Sequence, residues 1–197
     1  MKFLRKRKTA VLITVAAAIA ATLLGVAGTA NRMTRDIEAM FYNGVYLKDE
    51  GYTQPGIDSH LNEASNAALG LATIMGNYPE LSDKAEALIS ARSGLLSAKR
   101  ISEKRLANLR MWASFNELAE AAGNVPPNTG MSERDKAAAS KYTDTFRGAY
   151  IAISSSAYND KVSEYLSGRS VLTRFLGAFV SASEPEYFYP GQYFTGN

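Results

Sequence analysis

Few residues in this 197-residue chain could perform metal, acid–base or nucleophilic chemistry. His60 is the single histidine, and it forms an H-x-x-E pair with Glu63 on a predicted helix. A di-iron bundle needs a Glu-x-x-His motif on each of two helices and two further carboxylates, which one histidine cannot supply. The chain has no cysteine, which excludes Cys-ligated zinc, Fe–S clusters and thiol nucleophiles. We therefore predict no metal site and no cofactor, and we interpret His60 as a surface or cap-proximal polar residue.

Serine and carboxylate groups are also poorly placed for catalysis. The serine run 154–156 lacks a G-x-S-x-G elbow, and His60 is the only histidine that could serve as its base. Small residues at a close approach of helices explain this run better. Two carboxylate pairs could in principle act as acid and base, namely Asp49 with Glu50 and Glu184 with Glu186. Because both pairs fall in predicted turns or the tail, we predict no catalytic residue and a protein that is not an enzyme.

Basic residues cluster at the N-terminus. Five of the 22 Lys and Arg residues lie in the first eight positions, which leaves 17 basic against 19 acidic residues in the rest of the chain. The body is therefore close to neutral although the whole chain carries +3. Since no basic footprint remains, we expect no nucleic-acid partner.

An uncharged apolar segment, residues 9–30, follows the basic residues 1–8. As a helix it would span roughly 30 Å, the thickness of the bilayer hydrocarbon. Secretory h-regions are usually about 7–15 residues long, so the length favours an uncleaved signal-anchor. Gly28-Thr29-Ala30 is nevertheless an acceptable small-x-small cleavage site, and cleavage near Ala30 stays an alternative.

The flanking charges predict the orientation of this segment. Five cations precede it, whereas Arg32 and Arg35 follow it and are offset by Asp36 and Glu38. The positive-inside rule then places residues 1–8 in the cytoplasm and residues 31–197 outside a bacterial cell membrane.

Apolar residues recur at helical spacing through the body. We predict a first helix within 31–50, weakened by Gly44 and Gly51 and broken at Gln54-Pro55-Gly56. A clearer helix spans 57–78, where spacings of four and three place one apolar stripe on one face. That stripe comprises Ile57, Leu61, Ala64, Ala68, Leu71, Met75 and Tyr78.

Two further helices are predicted beyond Pro79. One runs unbroken from about Glu80 to Ala122, roughly 60 Å long, with its stripe continued by Leu106, Leu109, Trp112 and Ala113. After the loop 123–130, a capping box at 132–135 opens another helix that runs to about Leu166. Its apolar stripe comprises Tyr142, Phe146, Ala149, Ile153 and Ser156. The predicted fold class is therefore all-α, an elongated antiparallel bundle of three to four long helices preceded by one transmembrane helix.

The C-terminal tail carries five aromatic residues between 187 and 194. They could pack across the bundle end, or they could form an adhesive patch for a partner or a membrane interface. Packing is the better interpretation for Tyr187 and Phe188, and both interpretations stay open for Tyr193 and Phe194.

The chain resembles the LemA family over nearly its whole length. The resemblance rests on a central helical signature with Ile57, Asp58, Leu61, Tyr78 and Arg92, and on a C-terminal signature with Tyr158, Asn159, Val162, Tyr165, Phe175, Gly177, Phe179, Tyr187 and Phe188. It implies one N-terminal membrane span, an antiparallel helical bundle and no established catalytic residues. These motif residues are therefore expected to be structural.

The first functional hypothesis is a membrane-anchored scaffold or protein-interaction module at the cell envelope. Its expected partners are the membrane and an envelope protein or a second copy of the chain. A binding protein secreted after signal cleavage and a cell-wall-acting enzyme of unrecognised type are the alternatives. The enzyme alternative requires a concave pocket with two carboxylates of raised pKa.

Overall fold

The structure, a computed structural model, describes residues 2–125, 131–168 and 184–189. It confirms an all-α fold that begins with one long apolar helix. The helices are α1 (Lys2–Asn43), α2 (Ile57–Met75), α3 (Ser82–Ser97), α4 (Ile101–Gly123), α5 (Glu133–Ser154) and α6 (Tyr158–Gly168), with a short 3₁₀ turn at Pro79–Leu81 and a hairpin of β1 (Val45–Leu47) and β2 (Tyr52–Gln54).

The chain divides into two compact units. The first comprises Met1–Ala39 and Asp160–Pro185, and the second comprises Met40–Asn159 and Glu186–Asn197. The second unit contains the hairpin and helices α2 to α5, which form the predicted bundle.

Contacts between neighbouring helices show that successive helices of the bundle are antiparallel. Arg92 of α3 donates from Nε to the carbonyl oxygen of Ser65 in α2 at 3.0 Å. Lys84, early in α3, forms an ion pair with Glu117, late in α4. Phe115 of α4 stacks on Phe146 of α5, with ring centroids 3.6 Å apart, and Asn108, earlier in α4, bonds to Tyr150, later in α5. Short connections between helices favour this up-down arrangement.

The stripe predicted on α2 is confirmed, because its six residues from Ile57 to Met75 are all buried. Each large apolar side chain in such a core contributes about 1.5–3 kcal/mol relative to an exposed one. On α5, Phe146, Ala149 and Ile153 of the predicted stripe are also buried. Hydrophobic periodicity therefore assigns the core faces of both helices.

A helix through residue 50 is wrong, because α1 ends at Asn43 and a β-hairpin follows. Gly44 has a φ of 93°, which favours glycine, and a Cβ at this position would collide with the carbonyl oxygen of Gln54. Gly51, with a φ of 73°, makes the turn between the two strands. A hairpin that depends on two glycines with positive φ thus stands where the last turns of the predicted helix were expected.

The unbroken helix over 80–122 is also wrong. Helix α3 ends at Ser97 and α4 begins at Ile101, so the chain reverses within three residues. The Glu103 carboxylate accepts hydrogen bonds from the amides of Lys99 and Arg100, at 3.0 and 3.1 Å, and caps α4. No glycine or proline marks this turn in the sequence.

The stripe predicted along the second half of that helix is wrong at three of its four residues, since only Trp112 packs inward, on Phe146. Leu106 and Leu109 are 56% and 40% exposed. The residues that α4 buries are instead Ile101, Asn108, Met111, Phe115 and Leu118. Because α4 is a separate helix, its core face is set by its own packing and not by the phase of α3.

The helix after the capping box begins as predicted but ends earlier than Leu166. The Ser132 hydroxyl accepts from the amide of Asp135 at 3.1 Å, as an N-cap should. A corner at residues 155–157 separates α5 from α6. There the buried Ser156 accepts from the amide of Tyr158 at 3.3 Å and takes part in opening α6.

In the first unit, α1 changes its environment along its length. Residues 9–22 are exposed on every side, whereas from Ala27 onward one face is buried, through Ala27, Ala30, Thr34 and Ile37. Spacings of three and four make this a single helical face. Within this unit the Tyr165 hydroxyl donates to the carbonyl oxygen of Ala30 at 3.4 Å, which ties α6 to α1.

Candidate functional site

Most residues of the central signature maintain the bundle. Ile57 and Leu61 are core residues of α2, with 0% and 2% exposure. Asp58 forms an ion pair with Lys104 of α4, with Oδ1 and Nζ 2.8 Å apart. Arg92 donates a hydrogen bond to the main-chain carbonyl of Ser65 in α2. These contacts support the structural role that the resemblance implies.

Tyr78 is the central-signature residue with the clearest electrostatic effect. Its hydroxyl donates to Asp135 Oδ2 at 2.6 Å, and the Ser132 hydroxyl donates to the same oxygen at 2.8 Å. The bond from Tyr78, with a smaller contribution from Ser132, lowers the pKa of Asp135, and the same bond raises the pKa of Tyr78. The contact links the end of α2 to the start of α5.

Residues of the C-terminal signature form a connected set of hydrogen bonds and ring contacts in the second unit. We call residues 186–188 the tail segment, and we call the residues that hold it, Phe41, Tyr158 and Asn159, the tail site. The tail segment belongs to the same compact unit as these three residues, although it lies almost 30 positions beyond Asn159 in sequence. The tail site and the tail segment therefore combine three distant parts of the chain.

The side-chain amide of Asn159 pairs with both main-chain groups of Phe188. Nδ2 donates to the Phe188 carbonyl oxygen at 2.8 Å, and Oδ1 accepts from the Phe188 amide at 3.0 Å. A side-chain amide thereby imitates the main-chain pairing of a neighbouring β-strand. The Tyr158 hydroxyl adds a third bond, to the carbonyl oxygen of Glu186 at 2.8 Å.

The Phe188 ring joins an aromatic cluster around Phe41 and is 0% exposed. Its centroid lies 5.2 Å from that of Phe41, and the rings of Phe41 and Tyr158 meet edge to face at 5.6 Å. Such separations are typical of favourable aromatic pairs. Packing, the favoured interpretation of Phe188, is therefore confirmed.

Tyr187 and Tyr189 flank Phe188 in sequence, and their side chains lie on the face of the extended chain opposite to it. Their rings stack at 5.6 Å, Tyr187 is half-buried, and Tyr189 is 57% exposed. Alternation between buried Phe188 and its neighbours is the pattern of an extended chain, whose side chains point alternately to opposite faces. Tyr193 and Phe194 lie outside the described residues.

A second side-chain amide positions the tail site. Gln54 Oε1 accepts from the amide of Ala157 at 2.8 Å, and Gln54 Nε2 donates to the carbonyl oxygen of Ser155 at 3.2 Å. Strand β2 thus holds the corner from which Tyr158 and Asn159 follow. From the sequence, Gln54 is predicted only as part of a helix break, and no local signal marks its partner about 100 positions away.

The remaining C-terminal signature residues divide into two groups. Val162 is buried in the first unit, and Tyr165 contacts Thr34 there, with the Thr34 hydroxyl donating to the Tyr165 hydroxyl at 3.5 Å. Phe175, Gly177 and Phe179 lie outside the described residues.

The candidate chemical groups are not assembled into a site in the described part of the chain. His60 Nδ1 lies 3.6 Å from Glu63 Oε2, and residues 2–125, 131–168 and 184–189 contain no cluster of three potential metal ligands. Ser154 and Ser155 donate back to carbonyl oxygens of α5. The serine run thus terminates one helix and opens the next.

Two depressions on the bundle each include one carboxylate. Asp144 lines a depression between α4 and α5, which has a volume of about 470 Å³. Glu103 lines a shallow groove between α3 and α4, and the amides of Arg100 and Lys99 lower its pKa. A lowered pKa favours the ionised form, which is the opposite of what a general acid needs.

A comparison with known proteins identifies no family for this chain. No protein-family model matches it, and none of the curated proteins matches it. The resemblance to the LemA family therefore stays a prediction that rests on the residues of the two signatures.

Proposed function

We propose that this protein is a membrane-anchored, LemA-like helical bundle that acts as a non-enzymatic scaffold or protein-interaction module at the cell envelope. In this proposal residues 9–30 cross the membrane once, residues 1–8 stay in the cytoplasm, and the bundle lies outside. The anchor fixes where the module works, and the bundle presents surfaces for a partner protein or a second copy.

The observation that carries this proposal is the exposure of large apolar side chains on every side of the N-terminal helix. Leu12 is 72% exposed, Ile13 63% and Leu24 71%. Water strongly disfavours so much exposed apolar surface in a soluble protein, whereas lipid favours it. The helix is long and apolar enough to cross a membrane.

The hydroxyl groups of this helix are compatible with a lipid environment. Thr14, Thr22 and Thr29 each donate to the carbonyl oxygen four residues earlier, at 3.0, 2.9 and 2.9 Å. Polar groups inside a bilayer must find partners within the protein, because lipid offers none. These three bonds meet that need without a second helix.

The burial of one face from Ala27 onward supports an uncleaved chain. Cleavage after Ala30 would remove Ala27 and Ala30 from this face and would break the bond between Ala30 and Tyr165. The first unit therefore uses residues on both sides of the small-x-small site. We retain the anchor over a secreted product on this ground.

Exposed apolar residues on α3 and α4 support the interaction role. Ile89 and Leu96 of α3 are 40% and 50% exposed, and Leu106 and Leu109 of α4 are similarly exposed. Apolar residues at such positions are candidates for partner contact.

Cysteine accessibility tests the anchor and its orientation, since the natural chain contains no cysteine. Ser93→Cys places a thiol on the exposed surface of α3, and Ser65→Cys places one in the core. In intact cells we expect a membrane-impermeant maleimide to label Ser93→Cys and to leave Ser65→Cys unlabelled until the protein is denatured. Labelling of Ser93→Cys only after cell lysis would contradict the proposed orientation.

The mass of the native chain separates the anchor from the secreted alternative. We expect the full-length mass in the membrane fraction, retained after an alkaline carbonate wash. A product that starts at Asn31 and is recovered in the soluble fraction would instead establish the secreted alternative.

A further inference from the structure

We propose that the tail site is a peptide-binding site, and that the tail segment is its tethered ligand. The ligand class is an extended peptide with a phenylalanine, flanked by residues that need no pocket. This inference rests on the interaction role proposed above and specifies the chemical class of the partner. It does not depend on the membrane anchor, which the labelling experiment tests separately.

Main-chain recognition is the first reason. Three side-chain hydrogen bonds of Tyr158 and Asn159 go to main-chain atoms of the tail segment, namely the carbonyl oxygens of Glu186 and Phe188 and the Phe188 amide. Any peptide that adopts the same extended conformation offers these atoms. Addition of an extended peptide through main-chain bonds, with a pocket for one side chain, is a recurrent mode of peptide recognition.

One buried side chain within the tail segment is the second reason. Phe188 is 0% exposed, whereas Glu186 is exposed and Tyr187 is half-buried. The aromatic cluster around Phe41 therefore selects at Phe188 and tolerates variation at Glu186 and Tyr187. The expected ligands share one aromatic residue and an extended backbone.

The corner that carries Tyr158 and Asn159 is held by contacts that do not involve the tail segment. Helices α1 and α6 supply Phe41, Tyr158 and Asn159, and Gln54 holds the α5–α6 corner through its own bonds to Ser155 and Ala157. None of the bonds of Gln54 involves the tail segment. A preformed site pays less ordering cost when a ligand binds in trans.

The tether explains how the site would be controlled. A segment joined to its own site has an effective concentration on the order of millimolar, so a free peptide competes poorly in the natural chain. Phe188→Ala weakens the tethered competitor but leaves the site intact. Loss of a buried phenyl ring reduces binding by more than about tenfold.

The test uses the full chain in detergent and a fluorescent peptide with the sequence of residues 184–189. By fluorescence anisotropy, we expect Phe188→Ala to bind this peptide at least about tenfold more tightly than the natural chain does. The double variant Phe188→Ala/Asn159→Ala should lose that binding, and so should a peptide with alanine in place of its phenylalanine. Equal binding by natural chain and variant, or binding that ignores Asn159, would overturn the proposal.

A second measurement avoids any loss of folding in the variants. For this measurement 4-fluorophenylalanine replaces Phe188 in the otherwise natural chain, and ¹⁹F NMR reports whether that ring is buried or exposed. Excess unlabelled peptide should convert the buried resonance to an exposed one, whereas the alanine peptide should not. No displacement at peptide concentrations well above millimolar would contradict binding in trans.

Discussion

Asn108 and Asn159 are both side-chain amides in the second unit, but they bind partners of different kinds. Asn108 is fully buried in α4, and its Oδ1 accepts from the hydroxyl of Tyr150 in α5. Asn159 pairs with the main chain of Phe188. A side-chain partner can be removed by substitution, whereas a main-chain partner cannot. The Asn108–Tyr150 pair can therefore be replaced by two matched substitutions, whereas no substitution removes the main-chain partner of Asn159.

The aromatic packing around these amides differs in the same way. Between α4 and α5, Trp112, Phe115, Phe146 and Tyr150 form a continuous set of ring contacts within the bundle. In the tail site one ring, Phe188, is added from a segment distant in sequence. We expect loss of the bundle rings to unfold the unit and loss of the tail contacts to release the tail.

The largest expected effect is that of Phe115→Ala. Phe115 is 1% exposed and stacks on Phe146, so truncation leaves a cavity in the bundle and should lower the free energy of unfolding by about 3–5 kcal/mol. Urea unfolding followed by circular dichroism measures this loss. Leu106→Ala, on the exposed face of the same helix, is the matched control and should change stability by less than about 0.5 kcal/mol.

Asn159→Ala should have the next largest effect. It leaves the amide and the carbonyl of Phe188 without their partner, which costs about 2 kcal/mol, up to the free energy of detaching the tail. Chemical unfolding measures the loss, and Asn62→Ala removes an exposed amide as a control. A loss as large as that of Phe115→Ala would mean that the tail belongs to the core.

Tyr150→Phe should cost about 1–2 kcal/mol, because it leaves the buried Asn108 oxygen without its donor. The double variant Tyr150→Phe/Asn108→Leu should lose less than the sum of the two single variants. Tyr142→Phe, on the same helix, is the control. If the losses of the two single variants added strictly, Asn108 and Tyr150 would not be coupled. Asn108 would then not depend on a side-chain partner, and its contrast with Asn159 would be wrong.

Tyr78→Phe should have the smallest effect, visible in its pH dependence. Because Tyr78 lowers the pKa of Asp135, its contribution is complete above the ordinary pKa of 3.8 and fades as the pH falls through the lowered value. Because the same bond raises the pKa of Tyr78, the contribution is also lost as the pH rises through that raised value, above 10.0. Thermal unfolding of both proteins at pH 3, 7 and 11 should show the largest difference at pH 7.

The sequence predicts those parts of the fold that depend on periodicity. The core faces of α2 and α5 follow from apolar spacing, and the N-cap at Ser132 follows from its capping pattern. The apolar N-terminal helix is equally clear, since it depends on composition alone. In each case residues within a few turns of one another determine the structure.

The parts that the sequence predicts poorly depend on contacts between distant residues. The turn at 98–100 is fixed by the carboxylate of Glu103, and the α5–α6 corner is held by Gln54. The signature residues Tyr158, Asn159 and Phe188 can be named from the sequence, but their joint use on one segment cannot. Side-chain bonds to a distant main chain leave no periodic pattern.

The most direct test of this account is amide hydrogen exchange in the natural chain, with Phe188 compared with Ile153 in the interior of α5. A separately bound tail predicts that the Phe188 amide exchanges at least about tenfold more slowly than in the free peptide, and at least about tenfold faster than that of Ile153. Equal protection of the two amides would show that the tail leaves only when the bundle unfolds. An unprotected Phe188 amide would show that Asn159 does not hold it.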